Sequence, residues 1–213
     1  MEFNHWHDRW EQNQIGFHEG QPNVLLVEYF SALALDKGSR IMLPLCGKTV
    51  DIHWLLEQGY QVVGIELSEI AVKQLFEDLA TTPTITEVGA LKRYEATNVV
   101  IYVGDFFELT EEALGAVDLV YDRAALVALT EPQRKRYTAH LRQITQNAPQ
   151  LVICYEYDQS IVAGPPHSIS AEEMRQHYAE YFELKHLAEV PVEGGLKGTC
   201  PSTEHVWYLE PIN

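Results

Sequence analysis

The sequence is poor in positive charge. It carries 15 lysines and arginines against 31 aspartates and glutamates, which gives a formal net charge of -16 at pH 7. Proteins that bind nucleic acids or anionic membrane surfaces need a basic surface to contact phosphates. We therefore expect neither nucleic acid nor membrane among the partners of this chain.

Cysteines and long apolar segments are also scarce. The three cysteines, Cys46, Cys154 and Cys200, are odd in number and far apart, which indicates reduced thiols rather than a disulfide framework. No apolar stretch approaches the ~20 residues of a membrane-spanning helix. No basic segment followed by an apolar run marks a signal peptide at the N-terminus. These features predict a cytoplasmic protein.

Glycine-rich phosphate-binding loops are missing as well. A P-loop has a glycine five positions before the Gly of Gly-Lys-Ser/Thr, but relative to Gly47 that position is Met42. Nicotinamide and flavin sites need the repeated glycines of G-x-G-x-x-G to admit a pyrophosphate, and this turn has Gly47 alone. The turn therefore argues against nucleotide hydrolases and dinucleotide enzymes.

The chain has instead a βαβ unit that ends on a carboxylate. The apolar segment Arg40–Leu45 predicts a strand, Gly47 a tight turn, and the apolar segment Gln61–Ile65 a second strand. Glu66 follows, nineteen positions after Gly47, where a carboxylate can accept hydrogen bonds from two ribose hydroxyls. A nucleoside without phosphates fits this pattern best, which favours S-adenosylmethionine. An ordinary strand-to-helix turn is the alternative.

The rest of the chain alternates predicted helices and strands. Further strands are predicted at Val99–Val103, Val117–Tyr121, Leu151–Tyr157, Phe182–Val190 and His205–Leu209. Ser68, Thr130 and Ser170 each precede a helical pattern as a capping residue would. Continuous apolar strands separated by helices predict an α/β, Rossmann-like fold, a mostly parallel sheet with helices on both faces. The length of 213 residues suits one sizeable domain.

Ligands of such sheets bind at the C-terminal edge of the strands. Leu45, Glu66, Asp105 and Arg123 fall at or just past the ends of successive predicted strands. Each alone has an ordinary structural explanation, but four at one edge predict a binding site. The Asp105 carboxylate can accept a hydrogen bond from an adenine amino group, and Phe106 can pack against the face of the adenine ring.

An aromatic segment precedes the first predicted strand of the sheet. Trp6 and Trp10 are four residues apart and share one face of a predicted helix. They either anchor that helix on the core or cover the ligand, because an indole face attracts a sulfonium cation. The histidines nearby have no matching carboxylate or cysteine set, so no metal is expected.

Several motifs along the chain occur in the order and spacing of a known enzyme family. They are Trp6-x-x-x-Trp10 with Ile15-Gly16-Phe17-His18, Leu43-Pro44-Leu45-Cys46-Gly47-Lys48, Val62-Val63-Gly64-Ile65-Glu66-Leu67-Ser68-Glu69, Asp122-Arg123-Ala124-Ala125-Leu126-Val127-Ala128-Leu129 and Gly164-Pro165-Pro166. Together they resemble thiopurine S-methyltransferases over nearly the whole chain.

The resemblance implies a fold, a cofactor and a set of contacts. It implies the seven-stranded class I methyltransferase fold as a single domain, residues 1–213, with residues 1–22 as a segment that covers the cofactor. The cofactor implied is S-adenosylmethionine, released as S-adenosylhomocysteine, without a metal. Its implied contacts are Trp10, Leu45, Glu66, Asp105, Phe106 and Arg123. Phe17 is implied to lie near the acceptor. Animal members carry a second active-site arginine before the last strand, but here Lys197 is the nearest cation, so that role is not carried over.

The implied activity is S-methylation of aromatic or heterocyclic thiols, including thiopurines. Such thiols are largely ionised near neutral pH, so no strong base is needed. Arg123 is the predicted catalytic residue, because a permanent cation favours the thiolate or orders a water that accepts its proton. We expect a monomer that acts on a small-molecule thiol or chalcogen acceptor. Two alternatives stay open: detoxifying methylation of selenium or tellurium compounds, and a noncatalytic α/β binding module.

Overall fold

A computed structural model of the chain describes residues 9–12 and 18–212. Its contacts divide these residues into two compact units, the first ending at Asp118 and the second beginning at Leu119.

The first unit is built around three parallel strands. These are β1 (Arg40–Pro44), β2 (Gln61–Glu66) and β5 (Val99–Val103), with β2 pairing with both others. An antiparallel pair, β3 (Thr84–Val88) and β4 (Leu91–Ala96), extends the order to β3-β4-β5-β2-β1. Helices of this unit include α1 (Val24–Tyr29), α2 (Asp51–Glu57), α3 (Glu69–Asp78) and α4 (Glu111–Leu114), with 3-10 turns at Phe30–Leu33 and Phe106–Glu108.

The parallel strands are buried because their side chains are apolar on both faces. Met42 of β1 and Val63 and Ile65 of β2 have no exposed surface. An unbroken apolar strand of this kind is stable only with helices or other layers on both sides of the sheet. The predicted strands at Arg40, Gln61 and Val99 are therefore confirmed.

The second unit combines one parallel and two antiparallel strand pairs. β6 (Leu119–Arg123) runs parallel to β7 (Gln150–Tyr157), and β9 (Ser202–Pro211) lies antiparallel between β7 and β8 (Phe182–Pro191). The order is β6-β7-β9-β8. Its helices are α5 (Glu131–Ile144) and α6 (Ala171–Tyr178), with a 3-10 turn at Leu126–Ala128.

Helix α5 begins where the sequence predicts it. The side-chain Oε1 of Gln133 accepts a hydrogen bond from the Thr130 amide at 2.9 Å, and Pro132 occupies the first turn, where its missing N–H costs nothing. The cap at Ser170 is confirmed too, since its hydroxyl accepts from the Glu173 amide at 3.1 Å.

Two features of the sheet differ from the expectation. The described residues contain nine strands rather than seven, and the additional two are β3 and β4. β3 is exposed along nearly all its length, so it lacks the continuous apolar pattern of a buried strand. β6 begins two residues later than predicted, directly after Asp118, whose carboxylate accepts from the Arg40 amide at 2.7 Å. The strand ends at Arg123.

Candidate active site

The turn after β1 adopts a sharply bent backbone. Leu45 and Gly47 both have left-handed φ angles, +48° and +53°. The Cys46 amide donates to the Ile65 carbonyl at 3.1 Å, which ties the turn to the end of β2. A leucine in the left-handed region is strained, and such strain persists where the surroundings fix the backbone, often at a ligand site.

Trp10 lies directly against this turn. Its indole is almost fully buried, and a Cβ built on Gly47 would come within 3.2 Å of Trp10 Cζ2. A Cβ at Gly47 would therefore press on the ring and require it to shift slightly. Trp10 therefore packs on the glycine turn, and its contact with the cofactor stays a prediction.

Glu66 is the best-defined polar group at this edge of the first unit. Its Oε2 accepts from the Gly47 amide and its Oε1 from the Ser68 amide, both at 2.8 Å. Burial raises the pKa of Glu66, while these amides and that of Leu67 act in the opposite direction. Each carboxylate oxygen retains a second lone pair, so the fixed carboxylate can still accept from two hydroxyls of a ligand.

The end of β5 joins the same edge. The Gly104 amide donates to the Glu66 carbonyl at 3.0 Å. Asp105 follows, half-buried, and its Oδ1 accepts from the Phe107 amide at 3.0 Å, which starts a 3-10 turn. The Phe106 ring is buried and packs edge to face on Phe107 with centroids 5.5 Å apart.

The first unit thus brings five of the predicted residues to one edge. A contact joins Trp10 to Gly47, a hydrogen bond joins Gly47 to Glu66, and another joins Glu66 to the residue before Asp105. The residues concerned are Trp10, Leu45, Glu66, Asp105 and Phe106. Phe17 lies outside the described residues, as does much of the segment 1–22.

Arg123, the predicted catalytic residue, and Lys197, to which the role of the second arginine was not carried over, belong to the second unit. Arg123 is half-buried at the end of β6, in parallel register with Ile153 of β7. Lys197 is exposed, and its ammonium group donates to the carbonyl oxygens of Pro165 at 3.2 Å and Ala163 at 3.5 Å. Lys197 therefore braces the loop before α6.

The sequence did not predict that two carboxylates, those of Asp51 and Asp122, are buried. Asp51 accepts from the Asn23 amide at 2.7 Å, and this bond ties the start of α1 to the start of α2. Asp122 accepts from the Tyr137 hydroxyl at 2.6 Å. An acidic residue inside an otherwise apolar strand is the signal that would have identified Asp122, because a buried charge requires partners.

One cavity of about 820 Å³ lies on the sheet of the second unit. Its lining includes Glu156, His186, His205 and Trp207, and it includes none of the predicted site residues. The candidate site is therefore the strand edge that carries Glu66, and not this cavity. Within residues 9–12 and 18–212, no three histidine, cysteine or carboxylate side chains are grouped to hold a metal ion. No helix in this part of the chain is long and apolar enough to cross a membrane.

Several known proteins resemble this chain over nearly its whole length. The sequence profile of the thiopurine S-methyltransferase family matches residues 1–203. A thiopurine S-methyltransferase from Xanthobacter autotrophicus is 50% identical over 99% of both chains. One from Gluconobacter oxydans is 45% identical over 97% of this chain and 94% of that protein.

A solved structure supports the fold independently. The 1,6-didemethyltoxoflavin N1-methyltransferase of Burkholderia thailandensis, crystallised with 1,6-didemethyltoxoflavin and S-adenosylhomocysteine, has a TM-score of 0.66 at 13% identity. The match covers 98% of this chain and 87% of that one. The predicted α/β methyltransferase fold is confirmed.

Proposed function

The chain belongs to the thiopurine S-methyltransferase family, and we propose that it transfers a methyl group from S-adenosylmethionine to the sulfur of aromatic or heterocyclic thiols. The observation that carries this proposal is the buried Glu66 carboxylate at the end of β2, held by the Gly47 and Ser68 amides. A carboxylate fixed in this way suits a ribose, and a turn with one glycine does not suit a pyrophosphate.

The residues of the first unit fit such a cofactor. Glu66 would accept from the ribose hydroxyls, and Asp105 from the adenine amino group. Phe106 and Leu45 would supply apolar contact, and Trp10 an indole face that attracts a sulfonium. Arg123 of the second unit is the remaining proposed contact.

When bound, S-adenosylmethionine supplies a methyl group on a positively charged sulfur, which a thiolate can accept in line. The protein does not need its own sulfur for this reaction. Burial raises the pKa of both Cys46 and Cys154, so these thiols stay protonated near neutral pH. Arg123 is the proposed catalytic residue, since its permanent charge favours the ionised form of the acceptor thiol.

The remaining expectations belong to the same proposal. We propose that residues 1–213 act as one methyltransferase domain, that residues 1–22 cover the cofactor, and that Phe17 contacts the acceptor. A net charge of -16 opposes self-association, which supports a monomer. Three buried, unpaired cysteines support a cytoplasmic location. Family membership favours S-methylation over the selenium or tellurium and the noncatalytic alternatives.

The decisive experiment measures S-adenosylhomocysteine release with a panel of acceptors. The panel contains a weakly acidic thiol, an acidic aromatic thiol, a thiopurine and a selenol, each with the wild-type protein. We expect turnover with the aromatic thiols. Turnover with the selenol alone would shift the function to chalcogen detoxification, and turnover with none would leave a binding module.

Arg123→Lys tests the catalytic role within the same assay. An ammonium keeps the charge but loses the planar fork, so we expect a lower rate, with the larger deficit for the weakly acidic thiol. Arg136→Lys, at an exposed position of α5, is the matched control and should leave both rates unchanged. Equal deficits for the two thiols together with weakened cofactor affinity would make Arg123 a cofactor contact only.

A further inference from the structure

Asp122 is the residue immediately before Arg123 in β6, and it has no exposed surface. Its Oδ2 accepts from the hydroxyl of Tyr137, a buried residue of α5, at 2.6 Å. Its Oδ1 accepts from the amide of Leu126 at 3.1 Å. One carboxylate therefore connects the end of β6, the turn that follows it and helix α5.

These bonds close a tight turn around Arg123. The chain leaves β6 at Arg123, passes through Ala124 with a φ of +74°, and returns to the Asp122 carboxylate at Leu126. A left-handed alanine is strained, so the turn needs fixed contacts to persist. Ala125 and Leu126, both buried, and the bond to Asp122 provide those contacts.

We propose that Asp122 and Tyr137 form a positioning pair that fixes the backbone of Arg123 and so aims its guanidinium. This inference rests on the proposed catalytic role of Arg123. Asp122 and Tyr137 are buried and act through Arg123, so they are positioning residues and not catalytic ones.

The charge of Asp122 matters for this role. Burial raises its pKa to about 6, while hydrogen bonds from Tyr137, Leu126 and Ala125 oppose that rise. Tyr178 of α6 and Cys154 of β7 also interact with the carboxylate, and burial raises the pKa of both. Near neutral pH these partners are protonated and Asp122 is ionised, so the carboxylate accepts both bonds. Below about pH 6 it gains a proton and loses acceptor capacity.

The first test is Tyr137→Phe, which removes one hydroxyl and keeps the ring. We expect a fall of about tenfold or more in kcat with the weakly acidic thiol, because small misplacements of a reacting group are costly. The deficit should be smaller with the acidic thiol, and affinity for S-adenosylhomocysteine should persist as evidence of folding. Tyr94→Phe is the matched control. Tyr94 of the first unit is also buried, and its hydroxyl also donates to a carboxylate, that of Glu69, at 2.6 Å.

A double-mutant cycle separates positioning from general destabilisation. If Tyr137 acts through Arg123, Arg123→Lys combined with Tyr137→Phe should be no slower than Arg123→Lys alone. Two results would overturn the positioning pair and leave the proposed function intact. One is a double variant whose loss of rate is the product of the two single losses, and the other is a wild-type rate for Tyr137→Phe while Arg123→Lys is slow. A wild-type rate for Arg123→Lys would overturn the positioning pair together with the catalytic role of Arg123, while turnover of the aromatic thiols would still support S-methylation.

The pH profile gives a second readout. With the acidic thiol, which stays ionised, wild-type kcat should fall below about pH 6 as Asp122 is protonated. Asp122→Asn cannot titrate, so its profile should lose that step. An identical step in the variant would contradict the assignment.

Discussion

At the scale of single residues, Gly47 links the turn of the candidate site to Trp10. Its φ of +53° disfavours a side chain, and a Cβ at this position would lie only 3.2 Å from the Trp10 ring. We expect Gly47→Ala to lower the free energy of unfolding by roughly 1–2 kcal/mol and also to weaken S-adenosylhomocysteine binding, because the new Cβ displaces the indole. Thermal unfolding and calorimetric titration measure the two effects.

Gly89 provides the matched control for that substitution. It has a φ of +60°, but nothing lies within 4 Å of a Cβ built on it. Gly89→Ala should therefore lose similar stability and keep its ligand affinity. If both variants bind as the wild type does, Trp10 does not contribute to the cofactor site.

Glu66 carries a separate prediction at this scale. Glu66→Gln should weaken S-adenosylhomocysteine binding by ~1.5–3 kcal/mol, because the charge-assisted bonds to the ribose are lost. Glu69→Gln, three residues on, is the control, since its carboxylate binds Lys92 and Tyr94 instead. Calorimetric titration at pH 7 that gives equal affinity for Glu66→Gln and wild type would remove Glu66 from the site.

At the scale of secondary-structure elements, the sequence predicts best where burial is complete. β1, β2 and β5 are apolar on both faces, a pattern typical of a buried strand. The start of α5 is marked by Thr130 and Pro132, a pattern typical of a helix N-terminus. β3 was missed because an exposed edge strand has no buried face to mark it.

The same limit applies to the elements of the site. The strand-end position of Glu66 is visible in the sequence, because it follows an apolar run. The left-handed φ of Leu45 and the cover of Gly47 by Trp10 depend on tertiary contacts between distant segments. No local pattern encodes those contacts, so they appear only in the folded chain.

Glu69 joins two of these elements and supports a pH prediction. Its carboxylate, on α3, accepts from Lys92 and Tyr94 of β4, and these bonds lower its pKa to about 2. A depressed carboxyl pKa stabilises the folded state above pH 4.5, and this contribution is lost as pH falls toward 2. Because the group is partly exposed, we expect Glu69→Gln to cost about 1 kcal/mol or less at pH 7.

Urea unfolding across this pH range checks the prediction. The difference in free energy of unfolding between the wild type and Glu69→Gln, called the gap below, should narrow between about pH 4.5 and 2 as the wild-type carboxylate is protonated. Glu57→Gln, at the exposed end of α2, is the control and should show a smaller gap at pH 7. A gap that stays constant with pH would mean that Glu69 contributes by packing rather than by charge.

At the scale of the whole molecule, the excess of acid dominates the electrostatics. Salt weakens attractive surface pairs such as Lys135 with Glu131, but it also screens repulsion among 31 acidic residues that only 15 basic ones offset. We expect the screening of repulsion to be the larger effect. Raising NaCl from about 10 mM to 150 mM, which shortens the Debye length from ~30 Å to ~8 Å, should therefore stabilise the folded state at pH 7. Each kcal/mol of relieved repulsion should raise Tm by about 2–4 °C.

The control is the same titration near pH 4.9, the isoelectric point, where the net charge vanishes and the salt effect should vanish with it. An equal rise at both pH values would indicate binding of a specific ion instead of screening of the net charge.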